Sequence, residues 1–65
     1  MINPKQSLTH RELEVLKFLS MGCTYEKIAD KLDVSHETVK MHLKNIYRKL
    51  NAGNKIEALQ KVKLL

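Results

Sequence analysis

Lys40, Met41, Lys44 and Arg48 recur at helical spacing in the chain and are the side chains best suited to chemistry on a polyanion. At about 100° per residue, Glu37, Met41, Lys44 and Arg48 fall on one helical face, with Lys40 and Asn45 flanking them. Long ammonium donors such as Lys40 and Lys44 can reach a guanine O6/N7 edge or a phosphate oxygen. Met41 shares that outward face, where a wet thioether is explained by contact with a thymine methyl; the alternative is a tolerated surface methionine. Arg48 lies further along and suits a phosphate better than a base edge.

The segment that must position these groups runs from Thr24 to Leu50. Thr24 has the place of an N-cap for a short helix whose Ile28, Ala29 and Leu32 face inward. Leu32-Asp33-Val34-Ser35 reads as a tight turn, in which Asp33 tolerates an unusual backbone and Val34 plugs the gap between helices. Ser35 then caps a longer helix reaching about Leu50, with Val39, Leu43, Ile46 and Leu50 at i, i+4, i+7 and i+11 as a narrow buried stripe. The cationic face points away from that stripe. Cap residues, apolar spacing and charge placement thus agree on a helix-turn-helix whose second helix is shaped for a DNA major groove.

Charge placement supports the same half of the chain. The net charge is +5. Up to Ser35, Lys5, Arg11, Lys17, Lys27 and Lys31 are balanced by Glu12, Glu14, Glu26, Asp30 and Asp33. From His36 onward, Lys40, Lys44, Arg48, Lys49, Lys55, Lys61 and Lys63 face only Glu37 and Glu57. All of the excess is C-terminal, which points to a polyanionic partner for that half, against the plainer reading of solubilising lysine.

The remaining elements frame this pair. Thr9 and Glu12 have capping-box spacing at the start of a first helix, with Leu8 and Leu13 as its hydrophobic staple. Leu13, Val15, Leu16, Phe18 and Leu19 cover a wide apolar arc suited to more than one neighbour, and Gly22 supplies a left-handed stop. After Asn51-Ala52-Gly53, Asn54 caps a fourth helix with Glu57 in the capping-box place, and Ile56, Leu59 and Val62 mark its apolar side. Ala58 and the Leu64-Leu65 pair leave apolar surface for either self-association or packing onto the first helix. With no strand signals, 65 residues make one all-α domain, a four-helix bundle over residues 8–65 behind a flexible lead-in at 1–7.

Other chemistries find no footing. His36 and His42 lie about 120° apart on the third helix, and no cysteine or acid pattern completes a metal shell. Cys23 has no paired base for nucleophilic work and no partner for an internal disulfide, which suits a reducing cytoplasm. Apolar runs fall short of the roughly 18 residues of a membrane span. Neither an enzyme nor a cofactor is expected.

Several pieces also resemble the LuxR-type (GerE-like) DNA-binding domain of bacterial transcription regulators. They are Leu8 through Leu16, Gly22 with Thr24, Ile28-Ala29, Leu32, Val34-Ser35, Thr38 through His42, Ile46, Lys49-Leu50 and Glu57-Ala58, covering residues 8 to 62. The resemblance implies four helices, the third in the major groove and the fourth often forming a homodimer contact. It implies base reading by Lys40, Met41 and Lys44, with Thr24, Thr38 and His42 near phosphates. Three positions depart from the family pattern. Lys27 stands where an acidic residue is usual, adding positive charge near the DNA backbone alongside Arg48. Asn51 replaces a glycine but can adopt the left-handed conformation. Lys55 replaces an arginine and cannot reproduce its bidentate contact.

The expected function is therefore double-stranded DNA binding by a cytoplasmic, nucleoid-associated bacterial regulator acting as a homodimer through Ala58, Leu59 and Val62. RNA polymerase is a further candidate partner. A competing reading is a protein-interaction module that docks a polymerase subunit or a sensor through the fourth helix.

Overall fold

A computed structural model describes residues 8–63 of the chain. The expectations for the 1–7 lead-in and for Leu64-Leu65 lie outside the described residues. Four α-helices follow in order: α1 (His10–Ser20), α2 (Tyr25–Leu32), α3 (His36–Leu50) and α4 (Lys55–Lys63). Among the described residues there is no strand. α3 is the hub, packing against each of the other three, while α1 also meets α2.

Each of the first three helices starts on a hydroxyl cap and ends on a left-handed residue. Thr9, Thr24 and Ser35 adopt extended backbone and accept bonds from the N–H groups of Glu12, Lys27 and Thr38 at 3.1 Å each. These bonds satisfy N–H groups that a helix start leaves free. At the other ends, Gly22 (φ 86°), Asp33 (φ 55°) and Asn51 (φ 54°) turn the chain into the left-handed region. The next residue then returns its N–H five positions back: Cys23 to the Phe18 carbonyl, Val34 to Ala29 and Ala52 to Tyr47, at 3.1, 3.0 and 2.8 Å. Cys23, Val34 and Ala52 also pack against the core, completing the hydrophobic contact that accompanies this helix stop. The loop between α2 and α3 is consequently short and fixed.

The core gathers Val15, Leu16 and Leu19 of α1, Ile28 and Ala29 of α2, and Val39, Leu43, Ile46 and Leu50 of α3. Leu8 and Ala58 close its ends. Leu8 is buried and Leu13 rests on the core, the places expected of a staple around the α1 cap.

A charged side chain lies inside as well. Glu12 is 3% exposed, and its Oε1 accepts both from the Thr9 backbone N–H at 2.9 Å and from the Lys49 ammonium at 2.7 Å. The capping box of α1 thus also ties α1 to the far end of α3. Lys61 of α4 donates to the Asn51 carbonyl, so a cation satisfies an orphan acceptor at the α3 C-terminus.

The fourth helix departs from expectation in two ways. Ile56 is 67% exposed rather than inward-facing, whereas Ala58 is fully buried. A short side chain at Ala58 lets α4 approach α3 closely, so the apolar side of α4 is centred on Ala58, with Leu59 and Val62 half-buried beside it. Ala58 accordingly has no surface left for a second copy, and its assignment to a dimer contact is corrected. The Glu57 carboxylate also closes its turn one residue earlier than a capping box would. It accepts from the Gly53 N–H at 2.8 Å, while Asn54 Oδ1 caps the Glu57 N–H at 2.9 Å.

Candidate nucleic-acid interface

The outward side of α3 is built by subtraction. With Val39, Leu43, Ile46 and Leu50 turned into the core, the helix must present Glu37, Lys40, Met41, Lys44 and Arg48 to solvent, and all five are exposed. Met41 retains 54% of its surface, a large apolar group held wet amid cations. Arg48 lies over Asn45 Oδ1 at 3.5 Å, a weak contact that leaves its remaining donors free.

Two flanks border this face. On one side stand Thr38 and half-buried His42. His42 lies about 160° around the helix from Lys44 and shares its flank with Lys49, whose ammonium is bound to Glu12 of α1. On the other side Lys40 and Lys44 adjoin the start of α2, where Tyr25 and Tyr47 meet them. Thr24 and Lys27 stand exposed in the first turn of α2. The site residues read from the sequence therefore form one central face with a wall on either side, and His42 is the member furthest from the face itself.

The cap hydroxyls keep capacity for a further contact. Thr24 Oγ1 accepts the Lys27 N–H, which leaves its own proton to donate. Thr38 Oγ1 and Ser35 Oγ are 3.0 Å apart, so one donates to the other and the second proton remains available. Free N–H groups at the start of α2, an exposed hydroxyl and the Lys27 ammonium together suit a phosphate oxygen.

Tyr47 and its relation to Tyr25 escaped the sequence reading. The signal was present: Lys40, Leu43, Lys44 and Tyr47 recur at i, i+3, i+4 and i+7, a second stripe beside the core stripe. Glu12 and Lys49, 37 positions apart, carried no such local signal. Among the described residues no cluster of histidine, cysteine and carboxylate groups could hold a metal ion. Among the same residues no helix is long and apolar enough to cross a membrane.

Four helices, a three-residue turn between the second and third, and an outward cationic third helix define a helix-turn-helix domain. Comparison with known proteins gives the family. Residues 6–62 match GerE, described as bacterial regulatory proteins, luxR family, and the chain belongs to that family. A nitrate/nitrite response regulator protein homolog from Haemophilus influenzae is 45% identical over 56 residues, covering 86% of this chain and 27% of that protein. The HTH-type transcriptional regulator MalT of Vibrio cholerae is 47% identical over 53 residues, 82% of this chain and 6% of its own length. Among solved structures, the response regulator ChrA of a heme-sensing two-component system superposes with a TM-score of 0.86 at 38% identity. That match covers 89% of this chain and 29% of ChrA. The chain thus spans less than a third of the length of each of these relatives.

Proposed function

We propose that this chain is the sequence-specific, double-stranded-DNA-binding domain of a bacterial transcription regulator, with α3 lying in the major groove. The observation that carries the reading is the two-sidedness of α3, a buried aliphatic stripe and an exposed face bearing Lys40, Met41, Lys44 and Arg48. A helix about 10–12 Å across with its side chains fits a major groove about 12 Å wide. Lys40 and Lys44 donate to base edges and Met41 meets a thymine methyl. Thr24, Lys27, Thr38, His42 and Arg48 hold phosphates on the two walls, setting register and affinity. Membership of the luxR family and relatives named as response and transcriptional regulators support this reading.

The domain, residues 8–65, works as a homodimer in the cytoplasm. Its α4 contact is built on the accessible parts of Leu59 and Val62, with exposed Ile56 nearby. RNA polymerase is a further partner for the DNA-bound dimer. Selection of bound sites from random duplexes is the test. Two related half-sites with centres about one helical turn apart, or a whole multiple of it, are expected. Recovery of no preferred sequence would refute sequence-specific binding, and a single unpaired site would refute the dimer.

A further inference from the structure

An open groove of about 270 Å³ runs between the start of α2 and the flank of α3, lined by Tyr25, Lys40, Leu43, Lys44 and Tyr47. Two phenols and a leucine give it an apolar floor, and two lysines give it a cationic rim. The Tyr47 hydroxyl oxygen is buried there with no hydrogen-bond partner among the described residues. Buried hydroxyls are nearly always paired, so an orphan of this kind calls for an explanation.

The polar group bearing on that hydroxyl is its counterpart on Tyr25. Tyr25 is 37% exposed at the first turn of α2, so its ring spans from the buried phenol toward solvent. The two hydroxyls influence one another, yet no well-formed bond joins them. Burial, reinforced by the neighbouring Tyr25, pushes ionisation of Tyr47 up to about 12. The Tyr47 phenol therefore keeps its proton at neutral pH and stands ready as a donor.

We propose that this groove seats one phosphodiester of the DNA backbone, with Tyr25 donating to a phosphate oxygen and Tyr47, the positioning residue beneath it, donating to the Tyr25 oxygen. The inference rests on the DNA reading above and extends it to residues that reading did not use. Charge complementarity selects the occupant, since Lys40 and Lys44 rim the groove and it opens beside the face offered to the duplex. A hydroxyl that accepts a bond becomes a better donor, so Tyr47 strengthens the Tyr25–phosphate contact. Bound to DNA, the relay is closed from the Tyr47 hydroxyl through the Tyr25 hydroxyl to the phosphate oxygen.

Binding of a duplex selected from a random pool is measured by fluorescence anisotropy for wild type, Tyr25→Phe, Tyr47→Phe, the double variant and Lys44→Ala, with a urea melt of each. Tyr47→Phe is expected to be as stable as wild type or more so, because it removes an unsatisfied buried hydroxyl. Its affinity is expected to fall about three- to ten-fold, the worth of one hydrogen bond. The double variant is expected to bind no worse than Tyr25→Phe alone, since Tyr47 acts only through Tyr25. Wild-type affinity in Tyr47→Phe, or losses that multiply in the double variant, would overturn the relay. A less stable Tyr47→Phe protein also overturns it, because the hydroxyl would then be satisfied in the free fold. If Lys44→Ala weakens binding while both tyrosine variants do not, the relay alone fails. If wild type binds no duplex, the DNA reading fails with it.

Discussion

Replacing Glu12 by Gln probes the ion pair that the core encloses between Glu12 and Lys49. Glu12 is 3% exposed and its Oε1 accepts from both the Thr9 N–H and the Lys49 ammonium. Gln keeps the shape and an acceptor for Thr9 but removes the charge opposite Lys49. A hydrogen bond to a charged group contributes about 1.5–3 kcal/mol. Stranding a fully buried charge costs about 3–5 kcal/mol, a limit not reached here because the Lys49 side chain is 26% exposed and can turn to water. The expected loss is about 1–2 kcal/mol for Glu12→Gln, and about 2–4 kcal/mol for Glu12→Ala, which also removes the capping bond. A domain of this size has only about 3–10 kcal/mol in all. Lys49→Met, which leaves the more enclosed carboxylate behind, should cost about 2–3 kcal/mol.

The assay is urea unfolding of wild type, Glu12→Gln, Lys49→Met and the double variant, repeated from neutral pH into acid. Burial alone would raise the Glu12 carboxyl, but the bond to Lys49, the Thr9 N–H, the Lys49 charge and the Thr9 hydroxyl together lower it below its ordinary 4.5. The unfolded chain therefore takes up this proton before the native one does. The pair's contribution is complete above the ordinary carboxylate range and disappears as pH falls through the depressed native value. Glu12→Gln should flatten that acid limb, and the cycle should show a coupling of about 1–2 kcal/mol. Coupling below about 0.5 kcal/mol, the size of an exposed pair, would refute the reasoning. An acid limb unchanged in Glu12→Gln would refute it equally.

Three further outcomes are expected. Asn51→Gly should stabilise the fold by about 0.5–1 kcal/mol, since Asn51 sits at φ 54° and glycine adopts that backbone without a Cβ penalty; a lower Tm in calorimetry would contradict this. Ultraviolet titration of the two tyrosines should show one component ionising near pH 12, which Tyr47→Phe removes; a normal titration of that residue would deny its burial. The unfolded chain ionises Tyr47 at its ordinary value near 10, so this group costs stability as pH rises from 10 toward 12. Ile56→Ser should leave urea stability within about 0.5 kcal/mol of wild type, because the side chain is largely in solvent, and a weaker dimer by sedimentation would place Ile56 in the α4 contact.

The parts of this fold written in short-range pattern were readable from the sequence. Thr9, Thr24 and Ser35 announce helix starts, and Gly22, Asp33 and Asn51 announce stops, because each acts on backbone groups within a few residues of itself. The stripe of Val39, Leu43, Ile46 and Leu50 fixes which way α3 faces, and with it the exposure of Lys40, Met41 and Lys44. What depended on tertiary closeness was not legible. The Glu12–Lys49 bond joins helices 37 positions apart, and the Tyr25–Tyr47 meeting depends on how α2 crosses α3. On α4, periodicity alone favoured the larger Ile56, whereas close packing against α3 selected the small Ala58. A short helix with few apolar residues leaves its rotation to its neighbours.

Affinity of wild type and Lys44→Ala for a selected duplex and for a scrambled one, at matched salt, tests the groove-facing role of α3 most directly. Lys44 is exposed on that face and its loss should leave the fold intact. The prediction is a loss of about 1–3 kcal/mol on the selected site and a clearly smaller one on the scrambled site. Equal losses on both duplexes, or none on either, would contradict base reading by this helix.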